Sequence, residues 1–469
     1  MKHPTATIAV FTFGMISFIS VLASGNENTT PSLLLGGAFL ISLLTHSIIV
    51  YRKQLDPVSY LTTMYFVYAF TLPGIYQLRT DTFYWYNNSV RRDLLIDAAF
   101  ITFTGTLALM AGISTTKLGR LFGTSFGSTG ASTARPMPAK RYDRKRASIA
   151  SFVISAICLA FIILQLAQKG PLVFFGTREM ANLLLSGKDG DSGSAFVKTI
   201  CSAMALTSFT ITGIVRYWAG IKNSLTKVSI IASVTSLSIA CFPTSLPRFW
   251  MIALAMTVGL VLIPNVLRRK KGIFFASGPI ALFSLFPFLS SLRRGENLDA
   301  SFEIKNPFDY LLHGDFDGYQ SMINVVVLVQ NEGFAFGGRI ISTVLFFVPR
   351  SIWSGKYDRT GAEAADSAGY LYLNISMPLP GEIYADGGII ITAIVLFAIG
   401  RLIGTLDSIY SSPGMTLGSI PLSSISILIA GFVPILARGS LISVIGGPAV
   451  AISLVAAWSF LYRLKIRRT

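Results

Sequence analysis

RYDRKRASIASFVISAICLAFIILQLAQ, residues 141–168, decides how this chain folds. It opens with Arg141, Arg144, Lys145 and Arg146, and from Ser148 to Gln168 it carries no charge. A bilayer's hydrocarbon core is about 30 Å thick, and a helix rising 1.5 Å per residue crosses it in about 20 apolar residues. The stretch therefore reads as a membrane-spanning helix with a basic, cytoplasmic flank.

Working outward, the same pattern recurs along the chain. Apolar runs lie near residues 7–24, 31–51, 58–77, 94–113, 195–215, 228–242, 249–266, 273–291, 387–406, 417–436 and 441–462, making twelve spans with the first. Of 469 residues, 52% are hydrophobic and 13% charged, against about 25% charged in a soluble domain. The expected fold is an all-α polytopic membrane protein of about twelve helices, residues 1–469 forming one membrane domain.

The formal charge of +17 would suit nucleic acid if it were spread over one face. Instead the basic residues fall in alternate connections: Arg52 and Lys53, the 114–147 linker, Arg216 to Lys227, Arg268 to Lys271, and the C-terminal Arg463 to Arg468. Twelve spans put all of these on one side, expected to be the cytoplasm of a bacterial plasma membrane, with both termini there. The Gly/Ser-rich linker 114–147 reads as a basic cytoplasmic loop facing anionic lipid.

Residues 292–386 break the pattern, holding 12 of the chain's 22 acidic residues against 7 basic ones. By parity this segment lies outside. Tyr319 to Val329 is an apolar-rich stretch of helical length, and the run from Ile340 to Phe347 is too short to span, so a lid-like outer loop with short interfacial helices is expected.

Cys158, Cys201 and Cys241 all fall in apolar runs and read as packed hydrophobes. The three histidines are too scattered for a metal site, and no phosphate-binding glycine loop or hydrolase elbow is present. No metal and no cofactor are expected. Asp315-Phe-Asp317 resembles a metal-binding carboxylate pair but reads better as a helix cap.

Arginines at outer span ends are more telling. Arg248 heads a span, Arg293 and Arg294 follow one, Arg350 lies in the lid and Arg438 occupies a short outer turn. Guanidinium groups grip phosphate oxygens in a planar, bidentate way, so the set suits a lipid-linked diphosphate. Glu382, just before a span, is placed to accept a proton at the interface.

Three segments resemble the oligosaccharide repeat-unit polymerases, the Wzy-type O-antigen polymerases. They are FDGYQ (316–320), FFVPRSIWSGK (346–356) and NISMPLPGEIYADGG (374–388). The layout is also similar: many spans, a large late outer loop and an Arg-Gly pair, Arg438-Gly439, near the last outer turn. Arg350 and Gly361 match a looser Arg–ten residues–Gly spacing. The resemblance implies an inverting, metal-independent glycosyltransferase that joins undecaprenyl-diphosphate-linked units into surface polysaccharide, with a chain-length regulator and a flippase as pathway partners. Carried onto this chain, Glu382 and Arg350 are expected at the chemistry. Arg248, Arg293, Arg294, Arg438, Lys356, Asp317 and Tyr384 are expected to bind diphosphate or glycan. The alternatives are a ligase passing glycan to a lipid acceptor and a flippase or transporter for the lipid-linked unit.

Overall fold

A computed structural model describes residues 4–25, 28–52, 54–121, 141–177, 192–272, 308–411 and 416–464, with 180, 184, 274, 277–279 and 282 between them. Among these residues all regular structure is helical. In chain order the principal helices are α1 (Pro4–Ala23), α2 (Thr29–Tyr51), α3 (residues 57–80), α4 (Leu95–Leu121), α5 (Arg141–Lys169), α6 (Ser192–Gly213), α7 (Ser224–Ala240) and α8 (Arg248–Leu262). The C-terminal half adds α9 (Gly318–Glu332), α10 (Thr360–Ser367), α11 (Leu379–Ser411), α12 (Ile420–Arg438) and α13 (Gly446–Arg463).

Among the described residues seven helical stretches, those of α1, α2, α4, α5, α6, α11 and α12, are long and apolar enough to cross a membrane. The sequence reading counts twelve spans, and the other five are not among these seven. Helix α3 runs through a π-helical stretch at Tyr65–Thr71. Helices α7 and α8 have only 17 and 15 residues. Most of 273–291 lies outside the described residues. The last run is divided into Leu441–Val444 and α13.

Within the spans, hydroxyl side chains satisfy themselves on the preceding turn: Thr102, Ser151, Thr207 and Ser424 each donate to the carbonyl four residues back. Two buried charges serve helix ends. Asp407 of α11 accepts the Val58 and Ser59 amides at 2.8 and 3.1 Å, capping the start of α3. The Lys271 ammonium donates to the carbonyls of Ile49, Arg52 and Gln54 where α2 stops. Each charge sits at the helix end whose dipole favours it.

Helix α4 crosses α11 with glycine against glycine. A Cβ on Gly112 would lie 2.2 Å from the Phe397 carbonyl oxygen, and one on Gly400 would lie 2.3 Å from that of Leu109. Only small residues allow backbones to approach so closely. Near its start α11 breaks at Gly388, whose φ of +73° is left-handed.

Helix α9 is the element the lid expectation describes least well. Every residue from Gly318 to Leu328 is buried, and the helix packs against α3, α4, α10 and α11. At 15 residues it spans about 22 Å, short of the hydrocarbon thickness, so it is a plug inside the bundle. The apolar side chains of the following segment do stand outward: Phe336, Val344, Phe347 and Ile352 are all more than half exposed.

Candidate functional site

Residue Asp317, at the head of α9, is 1% exposed and fully engaged. Its Oδ2 accepts Trp85 Nε1–H at 2.8 Å, and its Oδ1 accepts the Ser376 hydroxyl and, at 3.1 Å, Arg438 Nη2. One carboxylate thus ties the loop before α4, the loop before α11 and the end of α12 together. Arg438 also donates to the carbonyls of Asp315 (Nε, 3.1 Å) and Gly314 (Nη2, 2.9 Å), and its guanidinium lies 5.1 Å from the Phe249 ring centroid.

These groups border a cavity of about 770 Å³. Its charged lining is Arg248, Arg438, Asp315, Asp317 and His313. Arg248 ion-pairs with Asp315 and donates to the Tyr310 hydroxyl at 2.9 Å. Tyr310 in turn donates to Asp315 at 3.0 Å, and His313 Nδ1 lies 3.6 Å away. All of these contacts fall on Oδ2 of Asp315. The apolar lining includes Trp250, Pro434, Ile435 and Val444, and the contacting rings of Tyr84, Trp85 and Tyr372 form an aromatic wall.

Of the residues expected at the site, Arg248, Arg438 and Asp317 come together here. The start of α8 and the end of α12 thus border the same cavity.

Glu382 is not among the lining residues. It is buried one layer behind, where Oε1 accepts the Leu441 amide beside Ser440, a lining residue. Its Oε2 has no hydrogen-bond partner among the described residues. The Ser440 hydroxyl accepts the Gly361 amide at 2.8 Å, so Glu382 and α10 brace the same turn. Nearby, Arg339 ion-pairs with Glu363. Burial lowers its pKa from the ordinary value, while the charge of Glu382 opposes that shift.

Arg350 and Lys356 lie apart from the cavity lining and close their own loop. Arg350 is half exposed and donates to the carbonyls of Lys356 and Tyr357 at 2.8 and 3.2 Å. Lys356 Nζ donates to the carbonyls of Phe346 and Val348. Tyr384 packs edge-on against Phe334, 5.6 Å between centroids, and is not a lining residue. Arg293 and Arg294 lie outside the described residues.

Residues that sequence reasoning missed are Tyr84, Trp85, Tyr310 and Tyr372. The signal for the first two was present: three consecutive aromatics, Tyr84-Trp85-Tyr86, in a short connection between two apolar runs. No group of metal-ligating side chains occurs among the described residues. Compared with protein-family models, curated proteins and solved structures, the chain matches none.

Proposed function

We propose that this membrane protein is a glycosyltransferase that joins polyprenyl-diphosphate-linked oligosaccharide units into surface polysaccharide at the outer face of a bacterial plasma membrane. The observation that carries the reading is the cavity itself. It gathers two arginines, a carboxylate with one oxygen outside its ion pair, and aromatic surface where the ends of α8, α9 and α12 meet. Of the three segments that resemble repeat-unit polymerases, 316–320 contributes Asp317 to the lining and 374–388 contributes Asn374, Ile375 and Ser376, while 346–356 contributes none.

In the proposed reaction a sugar hydroxyl of one lipid-linked unit attacks the anomeric carbon of another. The new glycosidic bond forms as the bond to the diphosphate oxygen breaks, and the electron pair leaves with the diphosphate. Arg438 and Arg248 stabilise the charge that grows there, as preorganised donors do in a low-dielectric site. The hydroxyl proton passes to a carboxylate. Asp315 takes that role in preference to Glu382, because it lines the cavity and Glu382 does not. Direct displacement inverts the anomeric carbon. Glu382 holds the 440–441 turn, and the Arg350–Lys356 loop stiffens the lid.

Deleting the gene and resolving surface polysaccharide on a gel tests this. A polymerase deletion leaves single repeat units and no long chains. Loss of both indicates a ligase, and lipid-linked units trapped on the cytoplasmic leaflet indicate a flippase. Complementation with Arg438→Ala or Asp315→Asn is expected to restore no ladder, and Arg350→Ala to restore it. A wild-type ladder from the deletion strain overturns the proposal.

A further inference from the structure

Beside the arginines stand aromatic rings that diphosphate chemistry does not require. Tyr84 and Tyr372 are 45% and 43% exposed although both line the cavity. The ring of Trp85 stacks on Tyr372 with centroids 4.8 Å apart and planes 22° apart, and meets Tyr84 edge-on at 4.6 Å.

The three rings are held in place. Trp85 is anchored through its indole N–H on Asp317, and its backbone amide donates to Gln320 Oε1 at 3.1 Å. Gln320 lies on the buried plug α9, and its Nε2 donates to the Trp85 carbonyl and, at 3.0 Å, to the Tyr370 hydroxyl. One amide side chain therefore fixes both aromatic segments. Gly314 lets them settle: a Cβ there would come within 2.7 Å of the Tyr84 ring and 3.1 Å of Trp85. Around the rings stand Asn374, His313 and Asp315, groups that donate or accept hydrogen bonds.

Rigid, half-exposed aromatic surface edged by amide, imidazole and carboxylate groups matches the chemistry of a pyranose. Such a ring offers a face of C–H bonds, polarised toward the negative face of an aromatic π-system, and a rim of hydroxyls. We infer that Tyr84, Trp85 and Tyr372 form a platform on which a sugar ring of the oligosaccharide stacks, so that one cavity takes the diphosphate at Arg438 and the glycan at the aromatic wall. The platform rests on the proposed function only for its choice of glycan. Tyr372 and Tyr84 are then specificity-determining residues, and Gln320 is a positioning residue.

The test uses the full chain in lipid nanodiscs. The probe is the lipid-free repeat-unit oligosaccharide released from the source cell's own surface polysaccharide by mild acid. Binding is read by saturation-transfer NMR and by Trp fluorescence. The wild type is expected to bind, with saturation transferred to ring C–H protons. Tyr372→Ala is expected to weaken binding about tenfold, and Tyr372→Phe to stay within about twofold, since the stacking face is kept. Both variants should melt as the wild type does, because this side chain stands half in solvent.

Arg350→Ala, whose side chain closes its own loop apart from the cavity lining, should keep the wild-type affinity for the sugar. Equal affinity in Tyr372→Ala and wild type, or no sugar binding by the wild type, overturns the platform. The same nanodisc assay separates this inference from the proposed reaction. Sugar binding that persists while the gene deletion leaves polysaccharide unchanged retains the platform and sinks the polymerase. Loss of the ladder in the deletion with no aromatic dependence of binding does the reverse.

Discussion

Replacing Asp317 by alanine removes, in one step, the acceptor for the Trp85 indole, for the Ser376 hydroxyl and for one Arg438 nitrogen. Buried donors stripped of a charged partner are costly, so a loss of about 2–4 kcal/mol is expected, read as a lower unfolding temperature of the purified protein. Arg350→Ala is expected to cost under about 0.5 kcal/mol, because that side chain is half in solvent and its partner Asp358 is more exposed still. The contrast reverses the order that sequence alone suggests. Arg248 and Arg438 were legible because each stands at the end of an apolar run, away from the connections where the other basic residues cluster. Asp317 read as a helix cap because its partners lie 59, 121 and 232 positions away in the chain. Glu382 was legible as an interfacial acid, but that it serves the Leu441 amide depends on packing, which periodicity does not encode.

At the scale of elements, the break in α11 and its crossing with α4 set where the site's loops emerge. Gly388→Ala puts a side chain into a left-handed backbone that L-residues adopt at a cost of about 1–2 kcal/mol. Gly388→Asn should cost about as much, since a ψ of −173° lies outside the left-handed helical well that asparagine tolerates. Thermal melts of both variants beside the wild type check this. Gly400→Val meets the Leu109 carbonyl directly, so α4 and α11 must part. Material that aggregates on detergent extraction, or melts well below the wild type, is the expected result. Hydrophobic periodicity made the long spans legible with ends near those observed. It left α9 ambiguous, since its apolar run from Val325 to Val329 is flanked by Gln320, Asn324 and Gln330, and which of these is buried depends on partners far away in the chain.

For the whole molecule, the orientation inferred from basic connections predicts which face the 308–386 region occupies. Leu371 is 90% exposed in that region, and the native Cys158, Cys201 and Cys241 are all buried. A Leu371→Cys variant should therefore react with a membrane-impermeant maleimide on intact spheroplasts, over a near-silent background. Labelling only after the cells are broken would place the cavity on the cytoplasmic side and remove the setting the proposed reaction needs.

The bond from the Trp85 indole to Asp317 joins residues 232 positions apart, and the cavity wall is finished only by residues 434–444. A ribosome that stalls midway leaves several helices threaded into the bilayer but no chamber between them. A fragment that reaches the arginine heading α8 still lacks the one that ends α12, so the two cannot yet face a common chamber.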